Sequence, residues 1–166
     1  MSYIELYDTT LRDGSQYEGI SFSVSDKLLV AQALDDLGVD YIEGGWPGSN
    51  PKDAEFFEQA KLLNFKKSTL TAFGSTRRAD IQVQDDPQIQ SLLDAKTSVI
   101  TLVGKSWDLH VEEILETSLE ENLAMISESI GFLVENGSRV FFDAEHFFDG
   151  YKSNYNYSHL VINAAE

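Results

Sequence analysis

With 166 residues, 42% of them hydrophobic, the chain can bury one sizeable core and does not have a disordered composition. Its formal net charge of −16 repels polyanions, which argues against DNA or RNA as a partner. It has no cysteine, so disulfides and thiolate metal sites are excluded, and no apolar run nears the ~20 residues that span a bilayer.

The opening "MSYIELYD" lacks the basic and apolar regions of a signal peptide, so a cytoplasmic location and no membrane partner are expected. "SYIELYD" alternates apolar and polar residues and predicts a strand that ends in charge. "SVSDKLLVAQALDDLGVD" predicts a helix with Ser25 as its cap and Gly38 at its end. Leu28, Leu29, Ala31, Ala33, Leu34 and Leu37 would form its apolar face. "VDYIEGG" is a second strand, followed by the turn-rich "WPGSNPKD" and a helix, "PKDAEFFEQAKLLNF", with Pro51 in its first turn. A third strand, "STLTAFGS", precedes a short helix in "DPQIQSLLDAK". "TSVITLVG" is the fourth strand, and one long helix closed by Gly137 is predicted from His110 onward. "SRVFFDAEHF" is the fifth strand and "YSHLVINAAE" begins a fifth helix.

Strand and helix thus alternate with short connections, the pattern of a parallel sheet covered by helices, in one domain over 1–166. Two α/β architectures fit this pattern: a doubly wound open sheet, and the first five βα units of a (β/α)8 TIM barrel. The first loop, "RDGSQYEG", lacks the G-x-G-x-x-G spacing usual in the open sheet. Instead, polar residues follow each strand: "RDG", "GGWPGS", "GSTRR", "GKSWDLH" and "DAEH". A barrel mouth collects such strand ends, so the partial barrel is preferred.

Asp8, Arg12 and Asp13 can act in three ways. They can neutralise one another, ligate a hard divalent cation, or aim Arg12 at a developing oxyanion. Gln16 adds an amide suited to a carboxylate or carbonyl. Glu43 lies in the apolar strand "YIEGGW", where a carboxylate is costly unless paired. It either meets Arg12 across neighbouring strands or marks a solvated strand end. By strand alternation Asp143 and Glu145 share a face, fit for acid–base work or simply a polar strand end, while His146 points the other way. His110 is a loop histidine, either a capping or surface residue or a catalyst. Trp46 and Trp107 read as packing residues. Tyr151, Tyr155 and Tyr157 read as a solvent-facing loop or helix start.

The element "TTLRDGSQ", with "EGGWPGSNPKD", "FGSTRR", "GKSWDLHV", "ENLAMI" and "FDAEHFFDGYK", resembles the alpha-isopropylmalate, homocitrate and citramalate synthase family over the whole chain, most of all its citramalate branch. The resemblance implies the N-terminal portion of an HMGL-like (pyruvate carboxyltransferase) barrel domain. Such an enzyme condenses acetyl-CoA with a 2-keto acid, here pyruvate, using a divalent metal (Mg, Mn or Zn). It further implies Asp13 as metal ligand, Arg12 as the group that stabilises an alkoxide or enolate, and Glu145 as the catalytic glutamate. Gln16, Glu43, Thr101, His110 and Asp143 would be substrate-binding residues.

The chain departs from that family in two respects. None of His110, His146 and His159 forms the family's H-x-H metal pair, and a complete barrel takes ~250 residues. This chain alone is therefore expected to be inactive, to bind cations weakly, and to pair with further barrel or with itself. A non-catalytic, self-associating module and a lyase cleaving a 3-hydroxyacyl thioester are the alternatives.

Overall fold

The computed structural model describes residues 3–166; Ser2, at the head of the first predicted strand, lies outside them. The strands are β1 (Tyr7–Asp8), β2 (Tyr41–Gly45), β3 (Thr69–Ser75), β4 (Val99–Lys105) and β5 (Arg139–Glu145). The helices are α1 (Val24–Leu37), α2 (Pro51–Ala60), α3 (Pro87–Asp94), α4 (Asp108–Glu113), α5 (Leu119–Glu135), α6 (Phe147–Ser153) and α7 (Tyr155–Ala165). The five strands are parallel and form one sheet in the order β1-β2-β3-β4-β5. A doubly wound sheet would reverse direction at its first strand, so sequential order decides for the α/β partial-barrel fold. Among the described residues no helix is long and apolar enough to cross a membrane.

Two compact units divide the described residues. The first runs to Gly74 and includes Ser91–Thr101. Its core is built from Leu11, Ala31, Ile42, Phe56, Phe57, Phe73, Leu92 and Ile100, all 4% exposed or less. Burial of each large side chain contributes about 2 kcal/mol. β1 is shorter than the predicted strand because the Asp40 carboxylate takes over part of the edge. It accepts from the Leu6 amide at 2.7 Å and from the Tyr3 hydroxyl. The Leu6 carbonyl still accepts from the Asp40 and Tyr41 amides, both at 3.0 Å.

The cap of α1 is Ser23, not Ser25. Its side chain accepts from the Asp26 amide while the Asp26 carboxylate accepts from the Ser23 amide, a reciprocal capping box. Gly38 closes α1 in the left-handed region, with φ +92°. The apolar face predicted for α1 is only half right. Lys27, Ala31 and Asp35 are its buried stripe, whereas Leu29 and Leu37 are exposed. Asp35 earns its place by accepting from the Lys66, Lys67 and Ser68 amides at 2.8, 2.9 and 2.8 Å, which ties down the turn before β3. α2 starts at Pro51 behind an Asn50 cap but ends at Ala60, short of the predicted Phe65.

The second unit is Ser75–Gln90 with Leu102–Glu166. Its core packs Val111, Ile126, Tyr157 and Val161 with Leu119, Leu123, Ile130 and Phe142. The single long helix predicted from His110 is broken into α4 and α5. Glu116 takes a positive φ of 52°, and Ser118 starts a new helix by accepting from the Glu121 amide. Gly137 follows α5 with φ +89°, as expected of the residue that closes a helix. Tyr157, expected at the surface, is buried beneath α5 with its hydroxyl on Asn122. Arg77 is also buried, donating to Glu128 at 2.7 Å and Glu121 at 2.6 Å, so its guanidinium is spent inside the unit, whereas Arg78 is exposed.

Candidate active site

In the first unit the chain leaves β1 through a turn built by its own polar residues. Asp8 accepts from the Thr10 amide at 3.0 Å and from the Thr10 hydroxyl at 3.1 Å, so its carboxylate shapes the turn. The Arg12 and Gly14 amides both donate to the Thr9 carbonyl at 3.1 Å, and Leu11 is fully buried as the anchor of the turn. Arg12 and Asp13 are thereby presented at the end of β1. Gln16 is exposed in the short 3-10 turn Gly14–Gln16 that follows.

Arg12 is held on three sides. Its Nε pairs with Glu43 Oε1, one terminal nitrogen lies 3.2 Å from Asp13 Oδ1, and its guanidinium carbon sits 3.9 Å over the Phe73 ring. Of the two readings open for Glu43, the structure shows the paired one: it is 1% exposed and bonded to Arg12. The strand supplies the means. Register slips between Glu43 and Gly45, a bulge of the kind that re-aims side chains. Both glycines are required there. A Cβ on Gly44 would lie 2.6 Å from the Phe56 ring. One on Gly45, at φ +146°, would lie 2.6 Å from the Asp53 carboxylate.

The other oxygen of Glu43, Oε2, accepts from the Tyr7 hydroxyl at 2.6 Å, and that hydroxyl lies 2.5 Å from Thr101 Oγ1. Burial, followed by the charge of Glu43, pushes the Tyr7 phenol well above its ordinary pKa. Thr71, register partner of Glu43 on β3, is fully buried and its hydroxyl has no partner.

Behind Phe73, Trp46 packs edge-on with ring centroids 5.5 Å apart, the packing role expected of it. Its amide donates to Asp53 at 2.9 Å, and Asp53 pairs with the buried Lys27. Burial lowers the Lys27 pKa, and Asp53 opposes that shift. Lys27, Asp53, Tyr7 and Phe73 are the residues that sequence reasoning passed over. The only signal was a lysine and an aspartate at positions 27 and 35, one helical stripe with Ala31.

In the second unit, Glu145 ends β5 and pairs with Lys105 at the end of β4. Its carbonyl accepts from the Ser106 hydroxyl at 2.6 Å. Asp143 is exposed two residues earlier. His110 packs on Trp107 and on His146, with ring centroids 4.7 Å apart in each case, and its Nδ1 is buried without a partner. His146 does not continue the strand. It takes the left-handed φ of +55° and starts α6, with Nδ1 3.1 Å from Asp149.

Asp13 is the candidate metal ligand, and its side chain is 64% exposed. Among the described residues no group of three or more His, Asp or Glu could hold a metal ion, so the residues present do not fit a complete metal centre.

Five parallel strands in sequential order, alternating with helices, define an α/β protein built from successive βα units. The chain belongs to the HMGL-like family, whose model matches residues 3–157. It is 59% identical over 162 residues to the (R)-citramalate synthase of Aquifex aeolicus, covering 98% of this chain and 31% of that protein. It is 52% identical to the (R)-citramalate synthase of Geobacter sulfurreducens, covering 100% and 31%. It is 36% identical to the 2-isopropylmalate synthase of Listeria innocua, covering 87% and 27%. The chain therefore spans about a third of the length of these curated relatives. The HMG-CoA lyase structure from Bacillus subtilis shares the fold, with TM-score 0.69 at 14% identity over 97% of this chain and 55% of that one.

Proposed function

We propose that the chain carries part of the machinery of an acyltransferase that condenses acetyl-CoA with a 2-keto acid, pyruvate, to give citramalate. The observation that carries the reading is Arg12, a guanidinium fixed by a buried carboxylate and an aromatic face at the end of β1. A donor fixed in advance stabilises a developing alkoxide or enolate without reorganising as the charge forms. In a chain of net charge −16, it is also a local cation that an anionic keto acid can meet. Gln16, His110 and Asp143 are the substrate-binding residues of this reading, while Glu43 serves it by holding Arg12, and Thr101 serves it through the Tyr7 hydroxyl that Glu43 accepts from. Glu145, held by Lys105, is its acid–base group. Identities of 52–59% to citramalate synthases favour pyruvate over other keto acids. The lyase alternative has a likeness of fold behind it, at 14% identity.

Titration of the chain with pyruvate, followed by saturation-transfer NMR, tests the reading. Binding is expected in the wild type and weakened by about tenfold or more in Arg12→Ala, the loss of one charge-assisted contact. Absence of binding in the wild type, or equal binding by Arg12→Ala, overturns it.

A further inference from the structure

Tyr7, Glu43, Thr71 and Thr101 come from four successive strands, β1 to β4, and three of them share hydrogen bonds. The direction of those bonds follows from a count of protons. Tyr7 has one hydroxyl proton, and an ionised carboxylate can only accept. The phenol therefore donates to Glu43 Oε2, and Thr101 donates its own proton to the phenol oxygen. Thr101 is 6% exposed, so its hydroxyl is committed inside the protein. Thr71 stands beside Glu43 in register, yet its hydroxyl has no partner and gives Glu43 no bond. Glu43 is therefore gripped from opposite ends: Tyr7 on Oε2 and Arg12 on Oε1.

We propose that Tyr7 is a positioning residue. Its hydroxyl, backed by Thr101, fixes the rotamer of Glu43, and through Glu43 it sets the direction in which Arg12 presents its terminal nitrogens. Thr101 then serves the phenol and does not contact the keto acid. The Tyr7 ring lies against Tyr41, with centroids 6.1 Å apart, and this steadies the phenol on its own strand. A phenylalanine would fill the same space and keep that ring contact, so the hydroxyl is what the arrangement uses. The inference rests on the reading of Arg12 as the group that meets the keto acid. Its test is read on Arg12 itself, so the two can fail separately.

The Arg12 Nε–H proton, assigned in 15N spectra by its loss in Arg12→Lys, reports the grip directly. Tyr7→Phe is expected to speed its exchange with solvent roughly tenfold, the effect of losing one hydrogen bond to a charged group. Thr101→Val is expected to speed it in the same direction and Thr101→Ser to restore it. Tyr41→Phe removes a hydroxyl bonded to Glu5, which precedes β1, and is expected to leave it unchanged. Unchanged exchange in both Tyr7→Phe and Thr101→Val overturns the proposal, as does an equal change in Tyr41→Phe. If Tyr7→Phe does not fold, the Thr101→Val and Thr101→Ser pair decides alone. The exchange contrast without pyruvate binding upholds the positioning role and overturns the functional reading.

Discussion

Lys27→Met tests whether the buried pair under the site is structural in the way its geometry implies. Lys27 is 2% exposed and Asp53 7%, so both charges are out of water. Removing one partner of a buried pair costs about 3–5 kcal/mol in general. Here the two partners are unequal. Asp53 keeps the Trp46 amide at 2.9 Å and the Asn50 side-chain nitrogen at 3.2 Å, and it sits in the first turn of α2, where negative charge is favoured. Lys27→Met should therefore cost about 2–3 kcal/mol, below the general range. Asp53→Ala strands a buried ammonium and also deprives the Trp46 amide, so it should cost about 4–5 kcal/mol. The double variant Lys27→Met/Asp53→Ala should cost less than the two single losses added together, because no buried charge is left unpaired. Urea unfolding measures all three, and Trp46 emission in a Trp107→Phe background reports whether the loop after β2 has moved. Single losses below about 0.5 kcal/mol, or strict additivity, would refute the reasoning.

Asp35 should make the chain acid-sensitive. Burial would raise its pKa, but the Lys66, Ser68 and Lys67 amides outweigh burial and hold it at about 2. Because the folded value lies below the ordinary 3.8, the stabilisation, about 2 kcal/mol, is present above pH ~4 and is lost as pH falls towards 2. Asp35→Asn should flatten that limb of the stability–pH curve in urea titrations, and an unchanged limb would assign it to other carboxylates. Gly45→Ala forces a Cβ to 2.6 Å from Asp53 at a φ of +146°, so a loss of about 2 kcal/mol or more is expected by thermal unfolding. A neutral result would show that the bulge relaxes.

The order of elements was legible because local signals agreed: alternation of strand and helix patterns, Pro51 at a helix start, and Gly38 and Gly137 at helix ends. What misled was chemistry acting through space. The apolar residues of α1 include Leu29 and Leu37, which are exposed, while Lys27 and Asp35 occupy the buried stripe because each has partners far along the chain. No period in a sequence reveals that a lysine meets a carboxylate 26 positions away. The same holds for the break after α4, where a serine can equally sit on a helix surface or start a new helix. At the site, the Arg12–Glu43 pair was legible only as one of two readings, because a carboxylate inside an apolar strand either finds a partner or marks a solvated strand end. Tyr7 was not, since a tyrosine in a strand is the ordinary packing residue there.

A chain with 28 acidic and 12 basic side chains has few cations to place, and where they go separates surface from mechanism. Lys27, Arg12 and Arg77 have side chains 18% exposed or less, and each is paired with a carboxylate. Exposed pairs such as Lys66–Asp36 contribute little, because water and salt screen them. The excess acid therefore lies where it costs least, on solvated helices, while the scarce cations hold positions that packing alone could not hold. Arg12 differs from the other two. Arg77 spends its nitrogens on Glu121, Glu128 and the Arg78 carbonyl, and Lys27 lies against the fully buried Phe56 ring, so both are enclosed. Arg12 is gripped from behind by Glu43 and Phe73, yet its other carboxylate neighbour, Asp13, is exposed to solvent. A cation fixed on its inner side and solvated on its outer side can bind an anion without first breaking its own support, which a purely structural ion pair cannot do.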